Sequence, residues 1–166
     1  MRTAFDAVDW CVDNPLCDGN LGIPRRMMPQ IRDVDAFVRW LEQEGYRVTR
    51  DSVRASDLKP TQEGITRRIV QKQIAEGVSL LAKRPLVRSA ENHILDGHHR
   101  WAAIVESDPD RPIPTITVHV STRKLLELGN AFPGVGYGSD VRANTIRTAY
   151  VNPTLRVALL PILRRG

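Results

Sequence analysis

The stretch Ile94-Leu95-Asp96-Gly97-His98-His99-Arg100-Trp101-Ala102-Ala103 decides how this chain is read. Two apolar residues run into an Asp-Gly turn, and two histidines, an arginine and an apolar run follow. That order predicts a strand, a tight turn and a helix whose first turn carries His98, His99 and Arg100. The first backbone N–H groups of a helix lack intrahelical acceptors, and the positive end of its dipole lies there. Imidazoles and a guanidinium at that point make a site for phosphate or another anion. Gly97 lets a ligand reach the backbone with no Cβ in the way. A nucleotide phosphate is the expected occupant. The plainer use of the same turn is Asp96 capping the helix through its carboxylate.

A chain of 166 residues fits one domain able to bury a core. Apolar residues make up 42% and charged residues 26%, which excludes an intrinsically disordered composition. No stretch approaches the roughly 18 apolar residues of a membrane span, and the start of the chain lacks the apolar run of a signal peptide. A cytoplasmic protein without membrane contact is therefore expected. Cys11 and Cys17 are the two cysteines, and their spacing fits neither a redox CxxC nor a zinc knuckle. Two reduced thiols are expected. The net charge of +5 is compatible with nucleotide or DNA. Its arginine pairs (Arg25-Arg26, Arg67-Arg68, Arg164-Arg165) are scattered, as on a solvated surface.

Working outward, residues 1–32 are rich in turn formers, with Trp10, Met27 and Met28 available to pack. Asp33 reads as the cap of a helix with Val34, Phe37, Val38 and Leu41 on one face and Gly45 as its stop. Short strands are expected at Tyr46–Thr49 and Val53–Ala55, and a helix over Ile65–Ala82 with Ile65, Ile69, Val70, Ile74 and Val78 inward. Pro85-Leu86-Val87 and His93-Ile94-Leu95 read as a hairpin turned at Asn92. Ile113–Val120 alternates, with Ile116, Val118 and Val120 on one face and Thr115, Thr117 and His119 on the other, as in a half-buried strand. Ser121 or Thr122 caps a helix to about Leu128. Gly134-Val135-Gly136-Tyr137-Gly138 follows no strand, so it reads as a flexible loop and not a dinucleotide fingerprint.

The order from Val53 to Val120 resembles the ParB/sulfiredoxin superfamily. Leu58-Lys59-Pro60 matches its Leu/Ile-x-Pro turn, Pro85-Leu86-Val87 its Pro-Ile/Leu-Val strand, and Ile113-Pro114 its closing strand. Asp96-Gly97-His98-His99-Arg100 is closest to the Asp-Gly-His-His-Arg of the free serine kinase branch. Partition proteins carry Gly-Glu-Arg-Arg instead, and sulfiredoxins a cysteine where His98 stands. The resemblance implies an α/β (α+β) fold, a small mixed sheet flanked by helices. It spans residues 51–130, with extensions at 1–50 and 131–166. It also implies that nucleotide phosphates sit on Asp96, Gly97, His98, His99 and Arg100, with Thr61 and Gln62 beside them. Glu63, just after the Leu-x-Pro turn, matches the catalytic base of the kinase branch, while Thr61-Gln62 depart from its acidic character.

The chemistry expected is that of a phosphotransferase or nucleotide hydrolase using ATP or a related nucleotide with Mg²⁺. Glu63 would take the proton of a hydroxyl-bearing acceptor while cations hold the phosphoryl group. Asp96 would assist the magnesium or cap its helix. A zinc site is disfavoured: His93 and His98 flank the turn, and adjacent His98 and His99 point apart on a helix. His119 reads as a strand-face histidine. Two other readings follow from the positive charge and the resemblance: a DNA-binding or nuclease-like accessory protein of a phage or plasmid, and an inactive scaffold.

Overall fold

The computed structural model describes residues 8–137. Residues 138–166, which include Gly138 and the Arg164-Arg165 pair, lie outside the described residues. Among the described residues the chain is mixed α/β: helices α1 (Val34–Gln43), α2 (Arg67–Glu76), α3 (Val78–Leu81), α4 (His98–Ser107) and α5 (Thr122–Ala131), with strands β1 (Val48–Arg54), β2 (Leu86–Ser89) and β3 (Pro112–Val118). The sheet order is β1-β3-β2. β1 runs antiparallel to β3, from Val48↔Val118 to Arg54↔Pro112. β2 runs parallel to β3, with Leu86 opposite Thr115, so α4 is the crossover of a βαβ unit.

Strand alternation sorts the core into two clusters, one on each face of the sheet. Leu86 and Ile113 join Ile65, Val70, Trp101, Ile104 and Trp10. Val87, Ile116 and Val118 join Phe37, Leu41, Leu125 and Phe132 from α1, α5 and the residue after α5. Residues of the described part of the 1–50 segment, Trp10, Phe37 and Leu41 among them, therefore belong to the core, and the boundary placed at residue 50 falls inside β1.

Local signals act as the sequence indicates at several points. Asp33 accepts the Ala36 N–H at 2.9 Å and starts α1, and Gly45 follows its end with φ of +88°. Ser121 accepts the Lys124 N–H and starts α5. The hairpin closes through Leu95 N–H to Val87 O and Ser89 N–H to His93 O, turning at Asn92 with φ of +67°.

Four expectations are corrected. The 65–82 helix is two helices, broken at Gly77 with φ of +114°, and Ile65 precedes α2. The two short strands are one, because β3 offers an unbroken edge to pair. β3 is buried on both faces: Thr115 and Thr117 are 1% and 3% exposed, and their hydroxyls donate to the Asp51 carboxylate. The glycine-rich run is partly anchored, since Gly136 and Gln30 exchange backbone hydrogen bonds at 2.8 and 3.0 Å. No helix among the described residues is long and apolar enough to cross a membrane.

Trp101 joins the elements of one face. Its indole N–H donates to Ala55 O at 2.9 Å, and Trp10 meets it edge-on at 5.6 Å. Trp101→Ala is expected to cost about 3–5 kcal/mol in chemical denaturation. His119→Ala, on an exposed residue, should cost less than about 1 kcal/mol.

Candidate functional site

Leu95 delivers the chain into a turn at Gly97, whose φ of +82° and ψ of 30° are left-handed. A Cβ there would lie 2.7 Å from Leu86 Cδ2 and 3.0 Å from an Arg100 nitrogen, so both backbone and space call for glycine. Asp96 does not cap α4. One carboxylate oxygen accepts the Gly97 N–H at 2.7 Å and the other accepts the Ile31 N–H at 3.1 Å, tying the N-terminal arm to the turn. Burial raises the Asp96 pKa above the usual carboxylate range, against the pull of those two N–H groups, Arg100 and Arg84. Gly97 takes the N-cap position without a side-chain cap.

The two histidines are acceptors. The Thr61 N–H donates to His98 Nε2 at 3.0 Å, and the Thr61 hydroxyl donates to Ile94 O at 2.8 Å. The ring proton of His98 therefore sits on Nδ1, buried and without a hydrogen-bond partner. Burial, then the neighbouring His99, pushes the His98 pKa down to about 3. His99 Nε2 accepts the Thr66 N–H at 3.0 Å, in front of α2. Burial, then Arg25, lowers its pKa to about 4, opposed by Asp9. Both rings fasten the 61–66 loop to the start of α4.

Arg100 points the other way. Its guanidinium donates to the carbonyls of Arg84 and Pro85. Burial, then the like charge of Arg84, lowers its pKa to about 10, opposed by Asp96, and leaves it a cation at neutral pH. Arg84, Arg100 and Gly97 line a cavity of about 550 Å³. Its remaining walls are the start of β2 (Pro85, Leu86, Val87), Asp96 and the residues that open α1, from Ile31 to Asp35. Two helix starts thus converge on one space.

The guanidinium groups of Arg32 and Arg84 make no hydrogen bond or ion pair with another described residue. Of the carboxylates on these walls, Asp33 caps α1, Asp35 pairs with Arg50 at 3.3 Å, and Asp96 holds two N–H groups.

The residues singled out from the sequence therefore divide. Asp96, Gly97 and Arg100 line the cavity. His98, His99, Thr61, Gln62 and Glu63 do not. Thr61 and Gln62 are buried under the arm, where Asn20 donates to Gln62 O at 3.1 Å. Glu63 is exposed, and its N–H donates to Ile23 O at 2.7 Å. Sequence reasoning missed Arg84, Arg32 and the α1 start. Arg84 stands directly before the Pro-Leu-Val strand, which was the available signal; nothing local brings Asp33 to Asp96.

The expected reduced thiols are corrected as well. A short 3-10 turn at Pro15–Cys17, started by Asn14, folds the arm back and brings Cys11 and Cys17 to a Cα separation of 5.5 Å, joined as a disulfide. No group of three or more His, Cys, Asp or Glu among the described residues is arranged to hold a metal ion. In comparison with known proteins, no family model matches the chain, no curated protein matches it, and no solved structure matches it.

Gly97→Ala is expected to destabilise the fold by more than the ~1–2 kcal/mol of a left-handed alanine, because Leu86 must also give way; a thermal melt indistinguishable from the parent would contradict the geometry. The histidines set a pH dependence. Unfolded, they protonate near 6.5; folded, they stay neutral down to about 3 and 4. Stability present above pH 6.5 is thus lost as pH falls through that interval. The urea midpoint should drop between pH 6.5 and 4, and the drop should shrink when His98 and His99 are both replaced by glutamine.

Proposed function

We propose that this chain is a nucleotide-binding domain of ParB/sulfiredoxin type, whose arginine-lined cavity takes the nucleotide's phosphates. One observation carries the reading. Arg84 and Arg100 face the same space at a glycine-started helix, and neither is neutralised by a hydrogen-bonded carboxylate. Arg84 is exposed and Arg100 half-buried, and an anion set between two such like charges relieves their repulsion. The free N–H groups of the α4 first turn add donors at the same point. The volume suits a small ligand (pockets of about 300–1,000 Å³ are usual).

The element order supports the family part of the proposal. The Leu58-Lys59-Pro60 turn, the Pro85-Leu86-Val87 strand, the α4 crossover and the Ile113-Pro114 strand occur in the sequence that the resemblance requires. Under this reading His98 and His99 position the helix start through the 61–66 loop, and Arg100, Arg84 and the first-turn amides grip the ligand.

Chemistry on the bound nucleotide would be phosphoryl transfer or hydrolysis. Such a step needs a carboxylate beside the terminal phosphate to receive a hydroxyl or water proton. Among the cavity residues Asp35 is the exposed carboxylate on a helix first turn, and it is the residue we assign to that role in place of Glu63. Mg²⁺ would neutralise phosphate charge when it enters with a nucleotide; among the described residues no group of His, Cys, Asp or Glu builds a site of its own for it.

Isothermal titration with ATP, ADP and CTP tests the proposal. Arg84→Ala is expected to weaken binding at least tenfold, about 1.5–3 kcal/mol, without a change in fold. Asp35→Asn should leave binding within about threefold and abolish turnover, while Glu63→Gln should leave both unchanged. Absence of nucleotide binding, or binding indifferent to Arg84→Ala, would overturn the reading.

A further inference from the structure

Among the described residues, the N-terminal arm before α1 has only short 3-10 turns of regular structure, and it lies across the loop that carries Glu63. Its contacts there are specific. The Trp10 N–H donates to Ile65 O at 2.6 Å, and the Gly64 N–H donates to Asp9 at 2.7 Å. The Arg67 N–H donates to Val8 O at 3.2 Å, and Asn20 donates to Gln62 O. Trp10 is 3% exposed and fills the space beside Trp101. The Cys11–Cys17 bond closes the arm into a loop next to that tryptophan. Asn20 reaches Cys11 Sγ at 3.7 Å and links the loop to Gln62 through its other contact.

We propose that the Cys11–Cys17 disulfide is a redox-sensitive latch that holds the arm over the 61–66 loop. The clamped elements are those whose N–H groups bind His98 and His99, so the latch controls the loop side of the α4 start. Cys11 is half-exposed, whereas Cys17 is buried at 7% exposure. A dithiol reductant therefore attacks Cys11 Sγ, and the Cys17 sulfur leaves as a thiolate. The reductant's second thiol then displaces Cys11 from the mixed disulfide. The protein gains two electrons and two protons as a pair of thiols, and the reductant ends as a disulfide. No bond other than S–S changes.

Opening the bond returns conformational freedom to a short loop. By the chain-entropy estimate for a loop of this size, the equilibrium for release of the arm rises about fifty-fold. Both cysteines sit in the arm, where Cys17 packs with Trp10, and neither lies on a strand of the sheet or on α1–α5. The effect is local: Trp10, Asp9 and Val8 come away from Ile65, Gly64 and Arg67, while the sheet stays paired.

Amide hydrogen exchange on the full chain, oxidised and in dithiothreitol, tests the latch, with the Cys11→Ser/Cys17→Ser variant as a reductant-free open form. The amides of Trp10, Gly64 and Arg67 should exchange about fifty-fold faster in both open forms, with those of Trp101 and Ile116 unchanged within about twofold. Reoxidation should restore the slow rates. The proposal is overturned if arm amides exchange alike in oxidised and reduced protein. It is also overturned if Trp101 and Ile116 accelerate as much as the arm, or if mass spectrometry finds both thiols free after equilibration with glutathione disulfide. The test does not involve nucleotide, so its outcome is separate from that of the cavity.

Discussion

The left-handed turn at Gly97, pressed against Leu86, is the constraint on which the candidate site depends. It ends the hairpin and starts α4 within one residue, and a Cβ would meet Leu86 at 2.7 Å. The side chains of the motif leave this turn on two sides. Asp96 and Arg100 face the cavity with Arg84, and His98 and His99 face the 61–66 loop. One short motif thereby joins three parts of the chain. Asp96 fixes the arm through Ile31, the histidines fix the loop through Thr61 and Thr66, and Arg100 fixes the start of β2 through two carbonyls.

This division changes what the histidines are for. A neutral imidazole that spends its Nε2 lone pair on a backbone N–H is no longer a cation for phosphate. Burial keeps both rings neutral well below neutral pH, so the positive charge in the motif rests on Arg100 alone. Arg84, sixteen residues earlier by way of the hairpin, and the α1 start complete the cationic wall. Asp33, Asp35 and Asp96 share that space with the arginines, so the cavity offers both signs. A ligand carrying phosphate at one end and hydrogen-bond donors at the other satisfies both.

How much of this was legible in the sequence depended on distance along the chain. The caps at Asp33 and Ser121, the hairpin at Asn92 and the strand–turn–helix at Asp96–Arg100 are set by neighbouring residues, and periodicity reports them. The break at Gly77 was visible as a glycine but was overridden by an apolar stripe that runs through it. Thr115 and Thr117 look like a solvent-facing row, yet the Asp51 carboxylate takes both hydroxyls and Arg88 reaches Thr115, contacts that alternation alone does not reveal. The Ile31–Asp96 bond and the Arg84–Arg100 pairing are tertiary, and they decide which motif residues meet the cavity. Cysteine spacing excluded known redox motifs but not a loop closed by a 3-10 turn.

The central claim is that the arginine side of the α4 start, and not the loop side, receives the nucleotide. Amide and guanidinium chemical shifts followed by NMR during an ATP titration test it most directly. The account predicts the largest shifts at Arg84, Gly97, His98 N–H and Arg100, with Gln62, Glu63 and Gly64 little changed. Shifts concentrated at Gln62, Glu63 and Gly64, with Arg84 and Gly97 silent, would contradict it.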